Sequence, residues 1–226
     1  MKQALESTGE HMVESVPAWD FYNRLGPGDY ERVLVENDVL IFSDVDAKLF
    51  QLAPSFFDRR EFGRRVLTFP DRVRLTVEAA SAGKGLMFLG GWYSFTGELG
   101  KGGWGRTRLA EILPVACLEG EDLVESTEGF AAEATPAGRA FFRGLDLAAW
   151  PPILGYNRTL PIAAGEVLAR WRPTGDPMLA VRTCGRDRVL AYTSDPAPHW
   201  GCNFVFWDRY AAFWLRCLDW ALGREP

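Results

Sequence analysis

The chain is 226 residues long, with 47% hydrophobic residues, 24% charged residues and a net charge of −5, the make-up of a globular protein long enough to bury a sizeable core. Its acidic balance argues against nucleic acid and anionic membrane surfaces as partners. No run approaches the roughly 18 apolar residues of a membrane helix, and the opening stretch 1–15 lacks the apolar centre of a secretion signal.

In chain order, residues 1–8 read as the end of a helix closed by Gly9. "HMVESV" (11–16) reads as a short strand, and "PGDYERVLVEN" (27–37) as a helix entered through Pro27 and Gly28. "DVLIFSD" (38–44) is a compact apolar run between polar ends, as expected of a strand buried on both faces. In "PDRVRLTVEAASAGKG" (70–85), Pro70 and Gly83 favour a helix against the β-branched residues between them, and "GLMFL" (85–89) is the next buried strand. This strand–helix–strand order predicts a parallel crossover and an α/β sheet.

"GELGKGGWG" (97–105), with five glycines in nine residues, reads as a surface loop, and "RTRLAEIL" (106–113) as a short helix stopped by Pro114. The second half is richer in strand signals: 122–127, 165–171, 177–183 and 187–195. The last two are joined as a hairpin across "CGR". "NFVFWDRYAAFWLRCLDWALG" (203–223) spaces its large apolar residues at helical intervals and reads as a buried terminal helix. No repeat or linker divides the chain, so 1–226 is expected to be one domain.

Three buried runs end in polar or glycine residues: Ser43 and Asp44, then Gly90, Gly91, Trp92 and Ser94, then Ser194, Asp195, His199 and Trp200. If the three strands run parallel, these residues converge on one edge, where open α/β sheets bind ligands. Each also has a plain reading. Asp44 and Asp195 suit turns, Gly90 and Gly91 suit a tight backbone approach, Ser94 suits a turn hydroxyl, and a lone histidine is often structural. Cys117, Cys184, Cys202 and Cys217 show no CxxC spacing, and with only two histidines no metal site is expected. Scattered thiols without a secretion signal point to a reduced, cytoplasmic protein.

"GGWYSFTGELGKGGWGRTRLAEILPV" (90–115), "PPILGYN" (151–157), "DPMLAVRTCGRDRVLAYTSDPAPHW" (176–200) and "FVFWDRYAAFWLRCLDWALG" (204–223) together resemble the class I glutamine amidotransferase-like family related to the trehalose-utilisation group, and "VLIFSD" (39–44) fits the same family. The resemblance implies a flavodoxin-like three-layer α/β sandwich with a mainly parallel sheet and a β-rich C-terminal portion. It also implies a first strand ahead of the first helix. Only ten residues precede His11, so that strand is expected to be missing, and the edge left open could pair with a second copy.

Glutaminases of this class carry a cysteine on a strand–turn–helix elbow, activated by a histidine. On that pattern Gly90 stands where the cysteine is expected, and Asp195-Pro196 where His-Pro is expected. The resemblance therefore implies a degenerate site without glutaminase activity and without a cofactor. Its catalytic residues are unassigned. Three functions stay open. The first is binding of a small polar ligand, such as a sugar, by Asp44, Gly90, Gly91, Ser94, Asp195 and His199 under an aromatic wall of Trp92, Trp104 and Trp200. The second is different, sugar-processing chemistry with Asp195 or Asp44 as base and His199 as acid or ligand. The third is protein docking through tryptophan-rich surface.

Overall fold

The computed structural model describes residues 1–24, 29–52, 57–66, 68–147 and 150–224. The helices are α1 (Lys2–Leu5), α2 (Ala18–Arg24), α3 (Asp29–Glu36), α4 (Ala47–Gln51), α5 (Arg59–Phe62), α6 (Arg72–Ser81), α7 (Pro136–Phe141) and α8 (Tyr210–Ala221). The strands are β1 (Val39–Ser43), β2 (Gly85–Leu89), β3 (Val115–Cys117), β4 (Leu123–Ala134), β5 (Ile153–Asn157), β6 (Thr159–Pro161), β7 (Glu166–Arg172), β8 (Pro177–Cys184) and β9 (Asp187–Tyr192). Several helices start on an aspartate cap: Asp46, Asp58 and Asp71 accept backbone N–H bonds from the first turns of α4, α5 and α6.

Seven strands form one sheet in the order β1-β2-β9-β8-β7-β4-β5, and β3 pairs with β6 apart from it. Strands β1, β2 and β9 are parallel and the other four neighbour pairings are antiparallel. The expected parallel crossover from β1 to β2 is therefore present, but the sheet is mixed rather than mainly parallel. The strand-dense stretch from 123 to 192 connects mostly through short links, which favour antiparallel neighbours.

Strand β2 is buried along its whole length, and its side chains alternate between two apolar cores. Leu86 and Phe88 face a core with Val73 and Ala80 of α6 and Tyr30 and Leu34 of α3. Met87 and Leu89 face a core with Phe213, Trp214, Cys217 and Leu218 of α8. Helices thus cover both faces of the parallel strands, which is why β2 is a continuous apolar run.

Strand β4 is long and bent. Its first residues pair with β5 and its last with β7, and the register shifts between Glu125 and Phe130 around Gly129 at φ 77°. The bend returns β5 to the ends of the parallel strands, where Asn157 N–H donates to Thr193 O at 2.7 Å and Leu154 N–H to Trp200 O at 3.0 Å.

Several expectations are corrected. Residues 11–17 form no strand, since no neighbour pairs with them. Helix α3 forms as expected, while Pro27 and Gly28 lie outside the described residues. Stretch 97–105 is not simply a surface loop: Trp104 is fully buried within it, packed on Phe42, Phe50 and Phe88. Segment 108–111 is a short 3-10 turn, and the terminal helix begins at Tyr210, after a 3-10 turn at 204–206.

Candidate functional site

The parallel run of β1, β2 and β9 carries their carboxyl ends to one edge, and the polar residues that follow each strand meet there. Asp44 follows β1 with φ 47°, a left-handed conformation costly for a residue with a side chain. It is held there from both sides. Its N–H donates to Ser94 Oγ at 3.1 Å, and its Oδ1 accepts the Tyr93 N–H at 2.7 Å. Phe95 and Leu99 also have positive φ, so all three such residues of other types than glycine, among the described residues, lie on β1's end or the turn after β2.

The turn after β2 is pinned from beneath by two buried polar residues. Asn157 Oδ1 accepts the Gly91 N–H at 2.9 Å, and its Nδ2 donates to Gly91 O at 3.0 Å and to Asp122 Oδ1 at 2.9 Å. The Asp122 carboxylate also accepts the N–H groups of Thr96 and Gly97, at 2.8 and 3.0 Å. Burial pushes the Asp122 carboxyl up, while these donors pull it back toward the ionised form. A third support runs from β7, where the buried Trp171 Nε1 donates to Thr193 Oγ1 at 2.9 Å.

Above this floor Asp195, His199 and two tryptophans form one cluster. His199 Nδ1 lies 3.5 Å from Asp195 Oδ2. The imidazole stacks on Trp200 (centroids 5.3 Å, 27°) and meets Trp92 edge-on (4.5 Å, 79°). Both indole N–H groups donate to one oxygen, Glu125 Oε1, at 3.3 Å from Trp92 and 2.7 Å from Trp200. Glu125 therefore clamps the two rings that flank His199. Burial is the main cause that pushes the Asp195 carboxyl up to about 6. The Ala197 N–H opposes it, the Asp44 charge adds to it, and His199 opposes it. Asp44 is also raised, chiefly by burial, with the Tyr93 N–H and His199 pulling the other way.

Of the residues expected from sequence, Asp44, Trp92, Ser94, Asp195, His199 and Trp200 do come together. Gly90 and Gly91 are there too, but as packing elements. A Cβ at Gly90 would sit 2.6 Å from Thr193 O and Asn157 Oδ1, and one at Gly91 would sit 2.5 Å from Asp44 Oδ1. Gly90 N–H is used by Tyr192 O at 2.8 Å, and Gly91 by Asn157. Ser94 is buried and serves Asp44. Trp104 lies in the core instead of a ligand wall, its Nε1 donating to Val45 O at 2.7 Å. Trp200 is buried, whereas Trp92 is 42% exposed and is the ring solvent reaches.

Sequence reading missed Asn157, Asp122 and Glu125. A polar residue closing the apolar run "ILGY" was the available signal for Asn157, and the last acidic residue before a strand was that for Asp122. Neither shows its partner from sequence.

All four cysteines are free thiols. Cys117 is pushed up to about 12 by burial and by Asp122, and Cys217 is raised by burial. Cys184 ends β8 beside the start of β9, at the opposite edge from Asp195. Among the described residues, no three His, Cys, Asp or Glu side chains come together in a group that could hold a metal ion, and no helix is long and apolar enough to cross a membrane.

Comparison with known proteins agrees with this architecture. A cytoplasmic protein from Salmonella typhimurium LT2 superposes with a TM-score of 0.82 at 31% identity, over 97% of this chain and 84% of its own. A second cytoplasmic protein from Salmonella typhimurium gives 0.83 at 27% identity, over 96% and 84%. A thua-like protein from Parabacteroides merdae ATCC 43184 shares the fold at a TM-score of 0.59 and 12% identity, over 99% and 84%. Curated proteins give no match. The model of the family described as "Putative glutamine amidotransferase" matches residues 1–222. The chain belongs to this glutamine amidotransferase-like family.

Proposed function

We propose that the carboxyl edge of β1, β2 and β9 binds a small polar ligand of the sugar class and has no glutaminase activity. The observation that carries this reading is the Asp195–His199 pair beside Asp44, with the half-exposed Trp92 ring next to it. Carboxylates and an imidazole supply acceptors and donors for hydroxyl groups, and an indole face covers the apolar face of a sugar ring. Loss of glutaminase chemistry is supported by Gly90, where the Cβ direction is filled, and by Cys117 and Cys217, which burial keeps as thiols. Helices on both faces of β2 support the three-layer, flavodoxin-like reading of the parallel part, and the cytoplasmic neighbours support a cytoplasmic location.

The test is a thermal-shift and calorimetric titration with glucose and trehalose. Both Asp195→Asn and His199→Ala are expected to abolish a sugar-dependent rise in Tm that the wild-type chain shows. Unchanged melting of the wild type with every sugar tried would refute ligand binding here. Release of glutamate from glutamine above background would refute the loss of glutaminase activity.

A second reading is favoured by one feature. A carboxyl raised to about 6 holds and releases a proton near neutral pH, which suits a general acid–base. If the site is catalytic, Asp195 is its base and His199 its acid, and turnover of a bound sugar would show it.

A further inference from the structure

After the carboxyl end of β1, the start of α4 and the glycine-rich segment 97–106 border an open cleft of about 480 Å³. Lys48, Lys101, Arg106 and Arg108 line it, with Asp71 as its one acidic lining residue. This is an unusual gathering of positive charge in a chain of net charge −5.

Elsewhere on the surface some guanidinium groups are matched by carboxylates. Arg32, Arg74, Arg172 and Arg224 each hold a carboxylate at 2.7 to 3.1 Å. In the cleft only Lys101 is matched, by Glu98 at 3.4 Å. Among the described residues, Lys48, Arg106 and Arg108 have no carboxylate within 4.0 Å. Asp71, which caps α6 by accepting the Arg74 N–H at 3.1 Å, is the one lining carboxylate set against them. Three like charges lining one concave surface raise its positive potential, which an anionic occupant would offset.

The segment that carries Lys101 and Arg106 is also rigidly mounted. Trp104, between them, is buried with its indole N–H on Val45 O, and Gly102 O accepts the Ala47 N–H at 2.8 Å, tying the segment to the start of α4. Arginine forks match the oxygens of a phosphate in pairs, and the volume suits a metabolite-sized ligand.

We propose that this cleft binds a small phosphorylated ligand, its phosphate monoester held between Lys48, Arg106 and Arg108. A concave cleft favours a free metabolite over a membrane, which needs a flat or protruding cationic face.

The probes are inorganic phosphate and glycerol 3-phosphate, with glycerol as the uncharged control, titrated into the full chain by calorimetry at low and at 0.3 M salt. Vesicles containing phosphatidic acid, which carries the same phosphate monoester, form a parallel arm. The expected result is binding of both phosphates and not of glycerol, weakened by salt. The Arg106→Gln/Arg108→Gln double variant should bind glycerol 3-phosphate at least about tenfold more weakly with its Tm unchanged, since both side chains are exposed. Lys48→Gln should weaken it further in combination. No binding of either phosphate by the wild type would overturn the proposal, as would equal affinity in the double variant. Binding to the vesicles but not to the free esters would overturn it in favour of a membrane contact. Loss of sugar binding at Asp195 would leave these readouts untouched.

Discussion

The parallel strands β1, β2 and β9 run into the solvent-exposed side chains Asp44, Trp92 and His199, whereas the antiparallel strands β4, β5 and β7 supply the groups that hold those ends in place. Asp122, Asn157 and Trp171 make buried hydrogen bonds to the backbone or hydroxyls of 91–97 and 193, and Glu125 reaches the two tryptophans at the rim. The comparison teaches that this edge is shaped by a part of the sheet distant in sequence. A site on parallel strand ends inherits its geometry from the fold, but its unusual backbone, with positive φ at Asp44 and Phe95, needs buried polar partners to over-determine it.

The largest effect should come from breaking the support. Asn157→Ala leaves the Gly91 N–H without its acceptor and takes one donor from the buried Asp122 carboxylate. An expected loss of about 3 kcal/mol, read from the urea midpoint, follows from orphaning buried polar groups. A loss below about 1 kcal/mol would mean that the antiparallel half does not hold the edge. Gly90→Ala should cost about 2 kcal/mol, because its Cβ meets the Thr193 carbonyl, a backbone group that cannot swing aside. Gly120→Ala, with nothing within 4 Å of its Cβ, is the control and should change little. Equal effects at the two positions would refute the tight approach of β2 to β5 and β9.

The same division explains what the sequence revealed. Runs such as "VLIFS" and "GLMFL" are legible because a strand buried on both faces has to be apolar throughout, and their parallel order follows from the helix between them. The convergence of Asp44, Trp92, Asp195 and His199 follows from that order. Strand β5 is five residues long and contains a glycine and an asparagine, so its local signal is weak, and its contact with Thr193, just past the end of β9, depends on the bend at Gly129 far along the chain. "HMVESV" alternates like a strand but finds no partner, and alternation without a partner does not make a sheet. Gly90 was legible as a special turn, but only the neighbouring carbonyl of Thr193 shows that the space for a side chain is already filled.

At the carboxyl edge of the parallel strands, pH distinguishes the buried Asp195 carboxyl from a surface one. Asp195 is 6% exposed and titrates near 6 when folded, against about 3.9 for a free aspartate. Between those values the unfolded chain has lost this proton while the folded chain still holds it. The unfolded state binds fewer protons, so this group lowers stability as pH rises from about 4 to about 6. Asp195→Asn removes that slope and keeps an oxygen for the Ala197 N–H. Relative to wild type, the variant should gain about 2 kcal/mol of stability between pH 3.5 and pH 7.5, measured by urea unfolding at each pH. A difference that does not change with pH would show that Asp195 is ionised as freely as a surface carboxylate.

The smallest stability effect, with an opposite effect on binding, is expected at Asp71. Its carboxylate caps α6 and is also the one negative lining residue of the basic cleft. Asparagine caps about as well as aspartate, so Asp71→Asn should shift stability by no more than about 0.5 kcal/mol. Removing its charge raises the positive potential that Lys48, Arg106 and Arg108 present, so glycerol 3-phosphate should bind several-fold more tightly, and most clearly at low salt. Sugar binding at Asp195 and His199 should not respond, because those residues do not line this cleft. Parallel gains in both ligands would mean that the two regions share one electrostatic field and act as a single site, and unchanged phosphate affinity would place the anion away from Asp71.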